Sequence, residues 1–216
     1  MFLGHYAAGV ALKAADRRLS LGALFLSVQL MDVIWGALVL AGVEHVRIEP
    51  GFTASNPLDL YHYPWSHGLV SAIALALLCA LAWGLARGLG VVRGPALLIG
   101  VAVFSHWPAD WVVHTPDLPL WGDQHKVGLG LWNHLGFALG LEIGLFVVAT
   151  ALYFRATRPL AASGRWAVPA IGVLMLGAQL SQLGGPPPSP RAVAGAALGG
   201  LLLLAALGHW ADRKRG

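Results

Sequence analysis

Charged residues and cysteine are both scarce in this sequence. Asp, Glu, Lys and Arg make up 11% of the 216 residues, whereas ordinary soluble domains carry about 25%. This deficit excludes a water-soluble globular domain. The one cysteine, Cys79, lies in an apolar run, so it excludes an intrachain disulfide and says nothing about the redox compartment. The first residues, MFLGHYAAGVALK, lack the positively charged start of a secretory signal peptide.

Several catalytic motifs are missing as well. The sequence contains no P-loop, GxSxG or CxxC motif, so it carries no nucleotide-binding or serine-hydrolase signature. The HExxH motif is also missing, which argues against a zincin mechanism.

Long apolar runs dominate what is present. Hydrophobic residues make up 57% of the chain, and the mean hydropathy is +0.68. Inside a bilayer every backbone polar group must be paired within its own segment, so runs of this length have to be helices. We predict an all-α, polytopic integral membrane helix bundle, with about six transmembrane helices after a short, half-spanning helix at residues 2–15. The six are expected at residues 20–43, 65–86, 94–115, 128–154, 166–183 and 191–210.

The chain is interpreted as a single transmembrane domain over residues 1–216. Ionisable residues within the apolar runs concentrate in residues 1–154, which we expect to hold the functional site. The helices of residues 155–216 are rich in Ala, Gly and Leu, so packing is their expected task.

Lys and Arg are distributed unevenly between the two ends of the predicted helices. The formal charge of +4 could suggest a nucleic-acid partner, but the basic residues cluster at the ends of apolar runs and are interpreted as topology signals instead. If the loop at 13–18 is cytoplasmic, eleven Lys and Arg residues lie inside and three outside. This bias predicts a cytoplasmic C-terminus and places the long connections 44–64 and 116–127 outside.

The segment SHWPADWVVHTPDLPLW, residues 105–121, carries ionisable side chains at membrane depth. Such side chains are costly there unless they are paired or solvated, so they usually mark a site. His106, Asp110 and His114 recur every four residues and share one helix face. A His and an Asp one turn apart can ligate one metal, although a buried hydrogen-bonded pair is the simpler alternative. Pro108 is predicted to kink this helix and to open room beside His106.

Helical rise predicts that other polar residues reach the same depth. At 1.5 Å per residue, His5, Asp32 and His106 each lie about 18 Å from the inner ends of their helices. On the descending helices, His67 lies near the outer end and His134 about 20 Å above the inner face. Imidazole and carboxylate groups together suit Zn, Mn or Fe. The sequence therefore predicts a metal site in the outer half of the membrane.

Each member of this group is given a provisional role. The roles are His67, His106 and Asp110 as metal ligands, His5 and Asp32 as further ligands or the general base, and His134 as a ligand or a transition-state donor. Glu142 is deeper in its helix and is either a proton-relay group or a protonated packing residue.

Two segments resemble the motifs of a known family. Residues 105–121 contain SHxxxD followed by a TPxxxPLW-like spacing. The stretch YHYPWSHGL is similar to a His-rich HRxxTHSL motif, with His62, Ser66 and His67 in the matching places. Over residues 1–135 the chain resembles the YdjM-like family of bacterial inner-membrane metal-dependent hydrolases.

Other positions both extend and limit this resemblance. His5 and Asp32 are similar to the family's N-terminal histidine and acidic motif. The segment LMDVIW has one aspartate where the family usually has two after a proline, and Tyr63 replaces an arginine. Both departures leave fewer groups for a second metal or for an anionic substrate. The resemblance implies a metal-dependent hydrolase of the bacterial inner membrane that acts on a phosphoester or a lipid.

We therefore predict that a metal, with Zn²⁺ as the expected one, activates water near the outer leaflet for attack on a membrane lipid or a small molecule. A transporter, or an ion- or proton-coupled membrane protein, could use the same His and Asp residues. A haem-binding bundle is a third hypothesis, disfavoured because the histidines come with carboxylates at helical spacing.

Overall fold

The computed structural model of the protein describes residues 1–88 and 93–216. The helices are α1 (Leu3–Ala15), α2 (Leu21–Val28), α3 (Leu30–Leu40), α4 (Pro64–His67), α5 (Leu69–Arg87), α6 (Arg93–Phe104), α7 (His106–Val113), α8 (Leu135–Ala156), α9 (Ala167–Ser181) and α10 (Pro190–Asp212). The strands are β1 (His45–Ile48), β2 (Leu58–His62), β3 (Leu118–Trp121) and β4 (Gln124–Val127). Arg87 and Arg93, which the charge count assigns to the cytoplasm, flank a connection whose middle lies outside the described residues.

Five helices of the described chain are long and apolar enough to cross a membrane. They are Leu69–Arg87, Gly94–Val113, Leu135–Ala156, Ala167–Gly184 and Pro190–Asp212. Helices α2 and α3 add a sixth if they form one span that is bent by 54°. Helix α1 has 13 residues and a length of about 20 Å, which is shorter than the hydrocarbon core of about 30 Å. The predicted all-α membrane bundle, including its half-spanning first helix, is confirmed.

Two of the spans are interrupted, and both interruptions lie near the candidate site. The predicted helix 20–43 breaks at Gln29, between α2 and α3. The helix predicted at 94–115 breaks at Ser105, rather than at Pro108. The ring of Pro108 clashes with the preceding turn, and Pro108 has no N–H to donate to the carbonyl of Phe104. The helix therefore breaks three residues before the proline.

The two long connections, predicted as loops, contain antiparallel hairpins. Strands β1 and β2 pair Arg47 with Asp59, and the two side chains form an ion pair at 2.6 Å. Strands β3 and β4 pair Trp121 with Gln124, and Gly122 in the two-residue turn between them has a φ of +54°, which favours glycine. We call this end of the bundle the hairpin face.

Contacts between the two hairpins join them across the hairpin face. The imidazole of His62 pairs with the Asp123 carboxylate, and Lys126 Nζ donates to the carbonyl of Tyr61 at 2.6 Å. Ser55 Oγ donates to the carbonyl of Trp132 at 2.8 Å. The hairpins thus form one connected layer.

Close backbone packing fixes α10 against α2. A Cβ at Gly22 would lie 2.7 Å from the carbonyl oxygen of Ala205, and a Cβ at Gly208 would lie 2.7 Å from the ring of Phe25. Small residues let membrane helices approach this closely. Because α10 also contacts α3, it helps to hold the helix that carries Asp32.

Candidate metal centre

Six ionisable side chains, carried by four helices and the residue that follows one of them, meet in the interior of the bundle. They are His5 in α1, Asp32 in α3, His67 at the end of α4, His106 and Asp110 in α7, and His114 directly after α7. The first five are predicted site residues, and His114 is predicted to share one helix face with His106 and Asp110. Helices α3 and α7, which each begin at one of the two breaks, contact each other through Asp32 Oδ1 and His106 Nε2 at 3.8 Å.

Asp110 is the centre of this cluster. Its Oδ2 lies 3.0 Å from His106 Nε2 and 3.8 Å from the Nε2 atoms of both His67 and His114. Its Oδ1 lies 3.1 Å from His5 Nε2 and 2.6 Å from the amino nitrogen of Met1. The Asp110 carboxylate therefore faces four imidazoles. His106 and His114 are close to Asp110 in sequence, whereas His5 and His67 lie on other helices.

Asp32 supplies the second carboxylate. Its Oδ1 lies 3.3 Å from His67 Nε2 and 3.8 Å from His106 Nε2. The Asp32 side chain is 29% exposed, whereas the side chains of the other five cluster residues are at most 5% exposed. Asp32 is thus the least buried member of the cluster.

The spacing of the donor atoms matches a metal-ligand set. Donors that bind one Zn²⁺ at about 2.1 Å lie about 3.4 Å apart at a tetrahedral angle, and the separations given above run from 3.0 to 3.8 Å. One ligand atom each from His67, His106 and Asp110 lie within 4.8 Å of one another, as do those from His5, Asp32 and His106. These buried groups could hold a metal ion.

His106 is oriented by the break between α2 and α3. Its Nδ1 donates to the carbonyl of Val28, the last residue of α2, at 2.7 Å. The last carbonyls of a helix have no partner within the helix, and a carbonyl can only accept. The proton of a neutral His106 therefore resides on Nδ1, and the Nε2 lone pair faces Asp110 and Asp32.

His114 is oriented in the same manner from the hairpin face. Its Nδ1 lies 2.9 Å from Asp117 Oδ1, and the hydroxyl of Tyr63 donates to the same oxygen at 3.3 Å. Burial, and then the charge of Asp117, raise the pKa of Tyr63 well above its ordinary value, so this hydroxyl stays protonated. A carboxylate that accepts from Nδ1 leaves Nε2 of His114 free to face Asp110.

His5 is stacked on His106 and owes its position to the start of α1. The two rings lie 3.7 Å apart and are inclined by 8°. Glu142 Oε2 accepts from the backbone N–H groups of Phe2 at 2.9 Å and Gly4 at 3.1 Å, and its Oε1 accepts from Gln179 Nε2 at 3.1 Å. The sequence left two roles open for Glu142, a proton-relay group or a protonated packing residue. The geometry adds a third role, because the carboxyl group caps the N-terminus of α1.

Several of these nitrogen atoms lack a hydrogen-bond partner outside the cluster. Within the described residues, His5 Nδ1 is buried without a hydrogen-bond partner, and the Nε2 atoms of His106 and His5 have the Asp110 carboxylate as their nearest polar neighbour, at 3.0 and 3.1 Å. Buried polar atoms are nearly always satisfied in folded proteins. Imidazole nitrogens left over beside two carboxylates are the donor set that a divalent cation satisfies.

The structure does not bring His134 to the cluster. Its side chain is exposed, and its ring lies 6.4 Å from that of Phe137, edge to face. The helix predicted from residue 128 begins only at Leu135, after a 3-10 turn over Leu131–Asn133. The depth expected for His134 assumed a helical rise over residues that are not helical.

Sequence reasoning missed the groups that orient the histidines. Glu44 and Asp117 lie in the two long connections and were not predicted as site residues. Glu44 contacts Ser66, the neighbour of His67, and Asp117 contacts His114. Their partners, Ser66 and His114, lie 22 and 3 residues away along the chain. The short separation of His114 and Asp117 could have been noticed, but nothing in the sequence pattern joins Glu44 to Ser66.

The arrangement can bind a divalent metal through nitrogen and oxygen donors, with one carboxylate less buried than the other groups. No family model, curated protein or solved structure matches this chain.

Proposed function

We propose that the protein is a membrane-embedded, metal-dependent hydrolase with Zn²⁺ bound at the His/Asp cluster. The observation that carries this proposal is the convergence of imidazole Nε2 atoms on Asp110 and Asp32, with Nδ1 of His106 and His114 engaged by outer acceptors. That pattern is typical of histidines that ligate a metal. Zinc suits a mixed set of nitrogen and carboxylate donors.

The chemistry divides between the metal and the protein. A bound Zn²⁺ lowers the pKa of water and polarises the bond to be broken. Asp110 and the histidines around it hold the charge and fix the geometry. Asp32, the less buried carboxylate, accepts the proton of the attacking water and is the group that a substrate meets first.

The substrate class and the membrane follow from the resemblance described above and from the charge distribution. A phosphoester or lipid substrate is supported by the SHxxxD and YHYPWSHGL segments. The uneven distribution of Lys and Arg supports an inner bacterial membrane with the hairpin face outward and Gly216 in the cytoplasm. In this orientation Asp32 serves substrates from the outer half of the membrane.

Substitution of Asp32 separates hydrolysis from transport. Asp32→Asn keeps the shape of the side chain but removes the base. We expect it to abolish metal-dependent turnover of a panel of phospholipids and phosphoesters, while His106→Ala removes the metal itself. Ion flux in proteoliposomes that depends on Asp32, from metal-loaded protein that forms no product, would instead establish the transporter alternative.

A further inference from the structure

Glu44 is a buried carboxyl group that the proposed mechanism does not use. It lies between α3 and β1 and is fully buried. Its Oε1 accepts from the backbone N–H groups of Trp65 at 2.9 Å and Ser66 at 2.8 Å. Its Oε2 accepts from the Ser66 hydroxyl at 2.6 Å. One carboxylate oxygen thus binds the backbone of α4, and the other binds the Ser66 side chain.

The Ser66 hydroxyl connects this carboxylate to His67. Ser66 Oγ lies 2.7 Å from His67 Nδ1. A hydroxyl has one proton, and that proton points to Glu44. Ser66 Oγ can therefore only accept from His67, which places the imidazole proton on Nδ1. Nε2 is then the nitrogen left for a metal, and it faces Asp32 at 3.3 Å and Asp110 at 3.8 Å.

We propose that Glu44, acting through Ser66, holds His67 in the tautomer that binds the metal, so that both are positioning residues of the metal centre. This inference rests on the proposed metal site but adds two residues that do not touch the metal. Outer partners of metal-binding histidines typically change metal affinity by 10 to 100-fold when they are removed. The same size of effect is expected here.

The chemistry of an amide at position 44 makes the proposal specific. Glutamine has one accepting oxygen and one donating nitrogen. If the oxygen stays on the backbone N–H groups, the nitrogen donates to Ser66, whose proton must then turn toward His67 and displace the imidazole proton to Nε2. If the amide is reversed, its N–H groups oppose those of Trp65 and Ser66. Glu44→Gln is therefore not a neutral replacement, although its shape is nearly unchanged.

The test measures Zn²⁺ affinity of the full-length protein in detergent by competition with a chelator of known affinity. Ser66→Ala and Glu44→Gln should each bind Zn²⁺ about 10 to 100-fold more weakly than the unmodified protein. The matched control is Ser71→Ala, because the Ser71 hydroxyl donates to the carbonyl of Pro64 in the same region but contacts no histidine. Far-ultraviolet circular dichroism and thermal melting establish that each variant is folded.

A second measurement reads the tautomer without metal. With ¹⁵N-labelled histidine, His67 of the unmodified protein should carry a proton on Nδ1, also where Nε2 of the metal-free protein donates to Asp32, and Glu44→Gln should remove that Nδ1 proton. A folded Ser66→Ala variant that binds Zn²⁺ as tightly as the unmodified protein, or equal losses in Ser66→Ala and Ser71→Ala, would overturn the inference. Failure of the unmodified protein to bind Zn²⁺ would refute the proposed function instead, and the ¹⁵N spectrum would still decide the tautomer.

Discussion

At the scale of single residues, the cluster is organised around Asp110 and not around any one histidine. Its Oδ2 faces His67, His106 and His114, and its Oδ1 faces His5. Truncation of Asp110 would leave several buried imidazoles beside one remaining carboxylate. Removal of one partner from a buried set of charged groups destabilises a protein more than replacement of the whole set does.

Metal content is the first residue-scale prediction. Purified protein should carry about one transition metal per chain, and Asp110→Ala should lose most of it, because this carboxylate contacts every imidazole of the cluster. Elemental analysis of detergent-purified protein, before and after chelation, measures this directly. Full retention of metal by Asp110→Ala would contradict the assignment of the centre.

The second prediction compares His134, to which the sequence analysis gives a role in the site, with His114, to which it gives none. His114 is buried with its Nε2 3.8 Å from Asp110, whereas His134 is exposed on the surface. We expect His114→Ala to weaken metal binding and His134→Ala to leave it unchanged, as measured by the same elemental analysis. The opposite order would mean that the helix starts near residue 128, as first predicted.

At the scale of elements, α1 is held at both of its ends. Glu142 caps its N-terminus, and at the other end Lys13 Nζ forms an ion pair with Asp212 at 2.7 Å and donates to the carbonyls of Arg17 and Leu19. A 13-residue helix with no such anchors would be marginal. These anchors hold His5 at its place on the ring of His106.

Loss of the α1 cap gives the third prediction. Glu142→Gln leaves one accepting oxygen for three donors, and a hydrogen bond to a charged acceptor contributes about 1.5–3 kcal/mol. We expect a lower apparent melting temperature for Glu142→Gln in detergent. Glu49→Gln, at an exposed position, serves as the control. Equal melting temperatures for the two variants would show that the cap adds nothing to stability.

The fourth prediction concerns the contact between α2 and α10. A Cβ at Gly208 would lie 2.7 Å from the Phe25 ring, whereas one at Gly199, in the same helix, would meet nothing within 4 Å. Gly208→Ala should therefore lower the melting temperature, and Gly199→Ala should be neutral or stabilising by about 0.5–1 kcal/mol. If both variants melt alike, α10 does not pack on α2 in this way.

The elements show why the sequence predicted some parts of the molecule and not others. Apolar length alone predicts the spans, because a bilayer leaves helices as the solution for each of them. The break at Gln29 has no proline or glycine to signal it; it coincides with the hydrogen bond from His106 to Val28, 78 residues apart in sequence. The hairpins were missed because four- and five-residue strands give little periodicity to detect.

The same contrast explains which residues of the site the sequence predicted correctly and which it misplaced. The depth argument brought His5, Asp32 and His106 together because helix continues on both sides of the one-residue breaks at Gln29 and Ser105. It misplaced His134 because residues before Leu135 follow another path. Long-range partners such as Glu44 depend on how the chain folds back, which local pattern does not encode.

At the scale of the whole molecule, the orientation in the membrane is the fifth prediction. In a Cys79→Ala background, Ala54→Cys on the hairpin face should react with an impermeant thiol reagent in intact cells. Ser163→Cys, exposed at the opposite end, should react only after lysis. The reason is the excess of Lys and Arg at that opposite end. Reversed labelling would invert the topology.

The wide spread of the cluster along the chain also governs its biogenesis. Its members run from His5 to His114, and Asp110 contacts His5 across 105 residues of sequence. At about 5–20 residues per second of synthesis, several seconds pass between the synthesis of the first of these residues and that of the last. Asp32 therefore enters the bilayer before the histidines of α4 and α7 exist to face it. The span that brings in His106 and Asp110 is also less apolar, at a mean hydropathy of 1.4, than the preceding one at 2.4. The proposed metal centre can therefore be complete only after the span that carries His106 and Asp110 has been inserted.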